Sequence, residues 1–324
     1  MGRVPIVDTL QRVPGGMMLI PLLLGSLVRT FWPGFLGLGS FTSALFRDGA
    51  LPLIALLILA TGAQINLRQS GRVLAKTGVV LLAKTVVPAL LVIAYGYAFG
   101  REGILGISLL AAMVAFINSN GGLWLALAAQ YGDEEDRGAY IASALNDGPF
   151  FTLVFLGLSG LGAIPFVYIV AAVLPFVIGF VLGNLDAKFA DMMKPASAIT
   201  VPFFAFALGA GIDLRSLAVG GVTGIWLGLL VSLVTGALTY WAYRWLLGER
   251  SAVGFAAGTT AGNSVATPAI VAQADASFSP FVAVATAQVA AAVLITAIVT
   301  PLITHYLHRR LQRGAPGQPA GAGA

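Results

Sequence analysis

Long apolar runs dominate this sequence and constrain its fold more than any other feature. A membrane-spanning helix needs about 17–25 apolar residues, because the hydrocarbon core of a bilayer is about 30 Å thick. Charged residues make up 10% of the chain, against about 25% in soluble proteins, so they are too few to cover a water-facing surface. The runs predict an all-α polytopic membrane protein with ten transmembrane helices. We place these helices at about 15–32, 50–65, 73–99, 104–130, 138–160, 164–184, 196–212, 219–247, 251–273 and 278–306.

The residue types that the sequence lacks, or has few of, limit the kinds of site that it can form. The chain has no cysteine, which excludes disulfides and thiolate metal sites. Its two histidines, His305 and His308, both lie near the end of the sequence. Basic residues are scattered singly between apolar runs, which does not favour nucleic-acid binding. We therefore expect no metal, no cofactor and no nucleic-acid partner, and we expect the lipid bilayer and a small solute as partners.

The two ends of the chain suggest one membrane domain followed by a tail. The first apolar run contains Pro21 and lacks a small-residue cleavage site, so we expect a retained first helix rather than a signal peptide. Residues 314–324 are mostly Gly, Pro and Ala, a composition that predicts a disordered cytoplasmic tail. Residues 1–313 would then form a single transporter domain.

The distribution of basic residues predicts the orientation. With ten spans, 13 of the 18 Lys and Arg residues fall on the side of the two termini, Lys76 among them. Four fall on the opposite side, and Lys84 lies inside a span. Cytoplasmic segments of membrane proteins are enriched in Lys and Arg. Both termini are therefore predicted to be cytoplasmic.

The two halves of the chain, about residues 14–161 and 164–313, resemble each other. The segment IPLLLG at 20–25 matches LPFVIG at 174–179, and GAQINLR at 62–68 matches GAGIDLR at 209–215. Five spans in each half would make the halves cross the membrane in opposite senses. Such inverted repeats are typical of secondary transporters, in which the halves rock about a central site. The alternative is a gene duplication without a functional consequence.

The fourth span of each half is interrupted by polar residues. The first break contains Asn118, Ser119, Asn120, Gly121 and Gly122, and the second contains Asn263, Ser264 and Thr267. Asn120 before Gly121 and Thr267 before Pro268 are typical of helix N-caps, so a new half-helix is predicted after each break. Two half-helix N-termini near the middle of the membrane would offer N–H groups and partial positive charge to an anion. The alternative is a pair of ordinary kinks at which small residues pack helix against helix.

Two ionisable residues lie deep inside predicted spans. Lys84 is about 16 Å into the third span and Asp147 about 13 Å into the fifth, at 1.5 Å per residue. Such residues usually face an interior and serve transport, so we predict that Lys84 attracts a substrate anion and that Asp147 with Asn146 binds the coupling ion. Gln288 occupies about the repeat position of Asn146 and is a further candidate. The alternative is an internal Lys84–Asp147 pair with a structural role.

With these residues in view, the chain resembles the bacterial 2-keto-3-deoxygluconate permease family, within the bile acid/arsenite/riboflavin transporter-like superfamily. The likeness covers about residues 12–304. It is carried by these segments: VPGGMM at 13–18 with Pro21, GSFT at 39–42, NGGL at 120–123, QYG at 130–132, LPF at 174–176, GNLD at 183–186, PFFAFALG at 202–209 and ATP at 266–268.

The resemblance implies proton-coupled import of 2-keto-3-deoxygluconate across a bacterial inner membrane. It also implies a ten-helix fold in which a panel moves against a core. The sequence departs from the family pattern before its Gly-Pro, where it has Asn146 and Asp147 instead of Glu two residues ahead. Three alternatives stay open: a sodium-coupled carrier of another organic anion, a channel, and an intramembrane enzyme. The enzyme would need a Ser/His or Asp/Asp pair or a metal cluster at membrane depth, and Asp147 is the only deep acid that we identify.

Overall fold

The chain folds into helices joined by short turns. The computed structural model describes residues 5–12, 16–65, 71–211 and 214–313. The helices of the first half are α1 (Ile6–Arg12), α2 (Gly16–Phe31), α3 (Pro33–Leu36), α4 (Ser40–Phe46), α5 (Ala50–Ala63), α6 (Gly71–Leu81), α7 (Val87–Phe99), α8 (Leu109–Ile117), α9 (Gly121–Tyr131), α10 (Glu134–Gly138), α11 (Tyr140–Asn146) and α12 (Phe150–Leu158). Those of the second half are α13 (Phe166–Leu185), α14 (Ala187–Met193), α15 (Ala196–Gly209), α16 (Leu214–Leu246), α17 (Thr267–Ala274) and α18 (Val282–Arg313). The predicted tail at 314–324 lies outside the described residues, as do Asn66 and Asp213, the matching polar residues of the repeated segments at 62–68 and 209–215.

Several of these helices are long and apolar enough to cross a membrane. Within the described residues there are five continuous ones, or eight if each bent helix pair is one span. One such pair is Glu134–Asn146 with Phe150–Leu158, bent by 60°. The all-α membrane prediction is therefore confirmed, while the arrangement of ten spans stays a prediction. The predicted run at 251–273 differs most, because it begins with a 3-10 helix at Ala252–Ala257 and continues through a stretch without regular secondary structure at 258–262.

A four-helix layer is formed by α2, α5, α13 and α15. In this layer α2 packs along α15, and α13 packs along α5. Glycines bring the helix backbones into contact: a Cβ on Gly179 of α13 would lie 1.8 Å from the Leu59 carbonyl oxygen of α5. A Cβ on Gly209 of α15 would lie 1.9 Å from the Leu22 carbonyl oxygen of α2. Small residues at a membrane helix interface permit this close approach.

The remaining long helices form a central body around α8. This nine-residue helix has eight buried residues and contacts α7, α16 and α18. Beside it, the span made by α6 and α7 contains a π-helical turn at Leu82–Val86. Pro88 follows, and its missing N–H leaves the Lys84 carbonyl without its usual i+4 donor, which accounts for the irregular turn. The turn holds Thr85 against the break after α8, whereas Lys84 contacts Thr235 of α16.

Lys76 lies near the start of this span, inside the predicted run at 73–99. Its ammonium group is fully buried and lies 3.0 Å from Asp133 Oδ1, 2.8 Å from Asp136 Oδ1 and 3.0 Å from Glu249 Oε2. Asp133 and Asp136 cap α10 reciprocally. Three carboxylates compensate the loss of water around the ammonium, which is why a charge in this position is tolerated. We call these four residues the Lys76 cluster.

Candidate functional site

The first predicted break is present and interrupts the span between α8 and α9. α8 ends at Ile117, and Asn118 adopts an extended conformation with φ −94° and ψ 148°. Asn120 is also extended, and its Oδ1 accepts a hydrogen bond of 3.0 Å from the Leu123 N–H. The prediction that Asn120 caps a new half-helix is confirmed. The α9 N-terminus therefore begins inside the protein, with Gly121 and Gly122 in its first turn.

The second break is present as well, but its cap differs from the prediction. A 3-10 turn at Asn263–Ala266 leads directly into α17, which begins at Thr267 with Pro268 behind it. The prediction that Thr267 is the N-cap is wrong, because Thr267 itself has helical angles of φ −57° and ψ −38°. A cap side chain reaches the free N–H groups from an extended residue. The Thr267 hydroxyl is instead buried without a hydrogen-bond partner.

A polar network anchors the first break to α11 and to the π-helical turn. Asn146 Oδ1 accepts hydrogen bonds from the Ser119 hydroxyl at 2.9 Å and from the Ser119 N–H at 3.2 Å. The Asn146 amide donates to Thr85 Oγ1 at 3.0 Å, and the Thr85 hydroxyl donates to the Ile117 carbonyl at 3.2 Å. Each end of the Asn146 amide is thus used to hold the backbone of the break. Asn146 and Ser119 shape the site rather than line it.

Two threonines tie the same break to the second half of the chain, and the sequence analysis missed them. Thr259 Oγ1 accepts a hydrogen bond of 2.9 Å from the Asn120 N–H. The Thr260 hydroxyl donates to the Ala115 carbonyl at 3.1 Å. These bonds satisfy backbone groups that the broken helix leaves free. The polar pair Thr259–Thr260 directly before Ala261 and Gly262, in an otherwise apolar region, was the available signal.

A cavity of about 390 Å³ lies between the four-helix layer and the central body. The central body supplies its polar wall, which contains Asn120, Gly121, Gly122, Asp147 and Asn263. The four-helix layer supplies a wall that is mostly apolar and lined by Met17, Met18, Leu57, Thr61, Val201 and Phe204. The cavity therefore joins both breaks with the deep carboxylate of Asp147. Tyr140 completes the polar wall, packed against Gly121.

Polar atoms at this cavity lack partners within the described part of the protein. Asp147 Oδ1 and both polar atoms of the Asn263 amide are buried without a completed hydrogen bond. The Asn263 amide lies beside the Asp147 carboxylate. Buried polar groups in native proteins are almost always hydrogen-bonded, and exceptions need an explanation. A bound polar solute or ion would supply the missing partners.

The structure brings together only some of the predicted site residues. Asn120, Gly121, Gly122, Asn263 and Asp147 line the cavity. Asn118, Ser264 and Thr267 are fully buried in the two breaks and are not part of the lining. Gln288 donates to the Gly106 carbonyl at 2.6 Å and to Thr223 at 2.7 Å, so it lies apart from Asn146.

Lys84 is buried next to the network and not in the cavity wall. Its ammonium donates to Thr235 Oγ1 at 3.1 Å, and its side chain has no exposed surface. No ion pair joins it to Asp147 in the described part of the chain. The structural alternative of a Lys84–Asp147 pair is therefore not observed. Thr85, the next residue, connects this turn to Asn146.

Sequence comparisons identify the family. The sequence profile described as 2-keto-3-deoxygluconate permease matches residues 7–313. The chain belongs to this family. It is 44% identical over 310 residues to 2-keto-3-deoxygluconate permease 1 of Salmonella typhimurium, covering 96% of this chain and 98% of that protein.

Two more distant relatives of this permease carry the same description. The 2-keto-3-deoxygluconate permease of Xanthomonas axonopodis pv. citri is 42% identical over 311 residues, covering 94% of this chain and 98% of the relative. That of Escherichia coli O139:H28 is 38% identical over 316 residues, covering 96% of each. The chain is thus a permease rather than an enzyme, and a multi-pass membrane protein. The resemblance that the sequence motifs indicated is confirmed.

Proposed function

We propose that this permease imports 2-keto-3-deoxygluconate, a sugar-acid anion, together with protons. The observation that carries the proposal is the cavity at which both broken spans meet Asp147, with unpartnered polar atoms on its wall. The choice of substrate rests on the name that its relatives share.

The substrate carboxylate would bind at the N-terminus of α9. The first N–H groups of a helix have no intrahelical acceptor and carry partial positive charge. Gly121 and Gly122 have no side chain to cover them, and Gly122 has little around it other than Asn120. Asn263 and Asn120 would bind the substrate hydroxyls, while Asn118, Ser119, Ser264 and Thr267 hold the backbone of the two breaks. Lys84 would act on the anion at longer range, because its side-chain amino group lies behind the network and has no carboxylate partner in the described part of the chain.

Asp147 would carry the proton. Among the described residues it is the one carboxylate on the cavity wall, and its Oδ1 has no hydrogen-bond partner there. A carboxylic acid and the neighbouring Asn263 amide form a pair that changes its hydrogen bonding when the acid ionises. Substrate anion and proton would thus occupy adjacent positions, which couples their binding through charge.

Alternating access would follow from movement of the four-helix layer relative to the central body. Their boundary holds the cavity, and the close pairs α2–α15 and α13–α5 each join one half of the sequence to the other. This pairing supports an arrangement of ten spans in two inverted repeats, about 14–161 and 164–313. We place both termini in the cytoplasm and the protein in a bacterial inner membrane, on the distribution of basic residues.

Uptake into proteoliposomes tests the proposal. Labelled 2-keto-3-deoxygluconate is added to vesicles that carry either an inward proton gradient or an inward sodium gradient, with a protonophore as control. We expect accumulation above equilibrium with the proton gradient alone, abolished by the protonophore. Accumulation driven only by sodium would reject proton coupling, and its absence under both gradients would reject the substrate or the symport mechanism.

A further inference from the structure

A second, larger cavity of about 810 Å³ lies between the carboxyl-terminal ends of α16 and α18. Three arginines line it, Arg244 from α16, Arg250 from the following loop and Arg310 from α18. None of its lining residues is shared with the 390 Å³ cavity. It is therefore separate from the proposed transport site.

The arginines of this cavity have no acidic partners in the described part of the chain. The nearest acid along the sequence, Glu249, is engaged by Arg72 at 2.8 Å and by Lys76 at 3.0 Å. Guanidinium groups stay charged at every physiological pH. Three cations around one cavity repel one another unless an anion lies between them, and guanidinium groups bind phosphate, like carboxylate, through two parallel hydrogen bonds.

The rest of the cavity wall is mostly apolar, and most of it belongs to two helices long enough to span a membrane, α16 and α18. Ile303, Leu307 and Leu311 line it from α18, and Phe255 lines it from the 3-10 helix. Trp241, which also lines it, is 41% exposed and stacks on exposed Trp245, with ring centroids 5.2 Å apart. Exposed tryptophans of this kind mark the level of the lipid headgroups.

The Trp241 ring of the cavity is already in contact with protein neighbours on several sides. The Arg244 guanidinium lies 5.6 Å from the centre of the Trp241 ring, which also stacks on Trp245. Tyr240 packs edge-on against the same ring. A nucleotide base would need a free ring face for stacking, whereas a phosphodiester needs only the arginines. This favours a lipid over a nucleotide.

We propose that this cavity binds the phosphate headgroup of an anionic phospholipid, with its acyl chains along the apolar residues of α18. Arg244, Arg250 and Arg310 hold the phosphate, and Ile303, Leu307 and Leu311 contact the chains. Such a basic recess between membrane helices is the chemistry by which anionic lipids are held at defined sites.

Native mass spectrometry of the full-length permease tests this proposal. The purified protein is titrated with phosphatidylglycerol and, separately, with phosphatidylcholine carrying the same acyl chains. We expect selective retention of phosphatidylglycerol, weakened about fivefold by Arg310→Gln and by Arg250→Gln, since each basic group contributes about that factor to headgroup binding. Arg309→Gln is the matched control, because Arg309 is exposed on the same helix but does not line the cavity.

The outcomes distinguish the phosphate headgroup of a lipid from a free phosphate anion. Equal retention of both lipids, or an equal effect of Arg309→Gln, would overturn the proposal. Displacement of phosphatidylglycerol by low millimolar inorganic phosphate would assign the cavity to a free anion and overturn it too. If Arg310→Gln elutes as an aggregate, Arg250→Gln in the exposed loop carries the test alone, and unchanged retention in that variant overturns the proposal.

Discussion

Lys76 and Lys84 lie two turns apart in one membrane span, and both side chains are fully buried. Their surroundings are opposite: Lys76 contacts three carboxylates, whereas Lys84 contacts one hydroxyl, that of Thr235. A compensated charge at the end of a span has a structural explanation, and an uncompensated one inside it is usually retained for function. Lys76 is therefore expected to contribute to stability rather than to transport.

Replacing Lys76 with methionine should destabilise the protein, because it leaves the carboxylates of the Lys76 cluster without their cation. Removal of one partner of a buried ion pair costs about 3 kcal/mol or more. Thermal unfolding in detergent measures the effect. Lys194→Met is the control, since Lys194 and its partner Asp191 are both 66% exposed and such pairs contribute about 0.5 kcal/mol. Equal losses in the two variants would show that Lys76 is not held by its cluster.

Replacing Asp147 with asparagine should abolish proton-driven accumulation while preserving substrate binding. The amide matches the carboxyl group in size but cannot carry a proton. Gradient-driven uptake and substrate-protected thermal stability are measured side by side in proteoliposomes and detergent. Asp191→Asn removes an exposed carboxylate and should transport normally. Full accumulation by the Asp147 variant would remove Asp147 from the coupling step.

At the scale of elements, the first break was predictable and the second was predictable only in part. Three consecutive polar residues before two glycines disfavour a helix by local effects alone, and Asn120 caps α9 as its position indicated. Thr267 followed the same local rule, but the preceding 3-10 turn already carries helical angles and removes the need for a cap. The roles of Thr259 and Thr260 depend on partners more than a hundred residues away, which local patterns do not reveal.

The cap of α9 gives a prediction for the site. Asn120→Ala should cost about 1 kcal/mol of stability, as the loss of a helix cap does, and should also weaken substrate binding because Asn120 lines the cavity. Ser108→Ala removes the corresponding cap of α8, where the Ser108 hydroxyl accepts from the Ala111 N–H at 3.2 Å. That control should lose similar stability but keep its affinity in a substrate-binding titration. Equal affinities in the two variants would exclude Asn120 from the binding site.

The close helix pairs of the four-helix layer give a second prediction at this scale. Gly179→Ala would place a Cβ 1.8 Å from a backbone oxygen of α5, so α13 must move away and lose packing along its length. We expect a loss of stability of about 2 kcal/mol. Gly78→Ala, on an exposed face of α6 with no atom within 4 Å, should instead gain up to about 1 kcal/mol. The unfolding midpoints of the two variants, each compared with that of the wild type, measure both stability changes.

At the scale of the whole molecule, a charged junction outside the spans links the two halves. Asp275 accepts a hydrogen bond of 2.9 Å from the Ala163 N–H and lies 3.6 Å from the Arg101 guanidinium. Partial burial opposes ionisation, but the hydrogen bonds of Ser277 and Ala163 and the charge of Arg101 outweigh it and lower the pKa of Asp275. Residue types predicted neither this junction nor the Lys76 cluster, because both depend on how distant loops meet.

The lowered pKa of Asp275 predicts that its contribution to the stability of the protein is lost at acid pH. A group with a folded pKa below its unfolded value of 3.8 adds stability above that value and loses it as the pH falls through the folded pKa. The difference in unfolding temperature between wild type and Asp275→Asn should therefore be constant near neutral pH and shrink below about pH 4. Glu102→Gln, which removes one negative charge beside Arg101, controls for net charge. A difference that stays constant down to pH 2 would contradict the role assigned to Asp275.

The two walls of the 390 Å³ cavity also bear on how such a carrier can diversify. Amides, glycines and the Asp147 carboxylate lie on one side, whereas methionine, leucine and phenylalanine lie mostly on the other. Substitutions at Met17, Leu57 or Phe204 would resize the space for a solute without touching the groups proposed to handle charge. Solute specificity and ion coupling would thus be able to change independently during evolution. A related carrier could bind a different substrate while it keeps the same coupling ion.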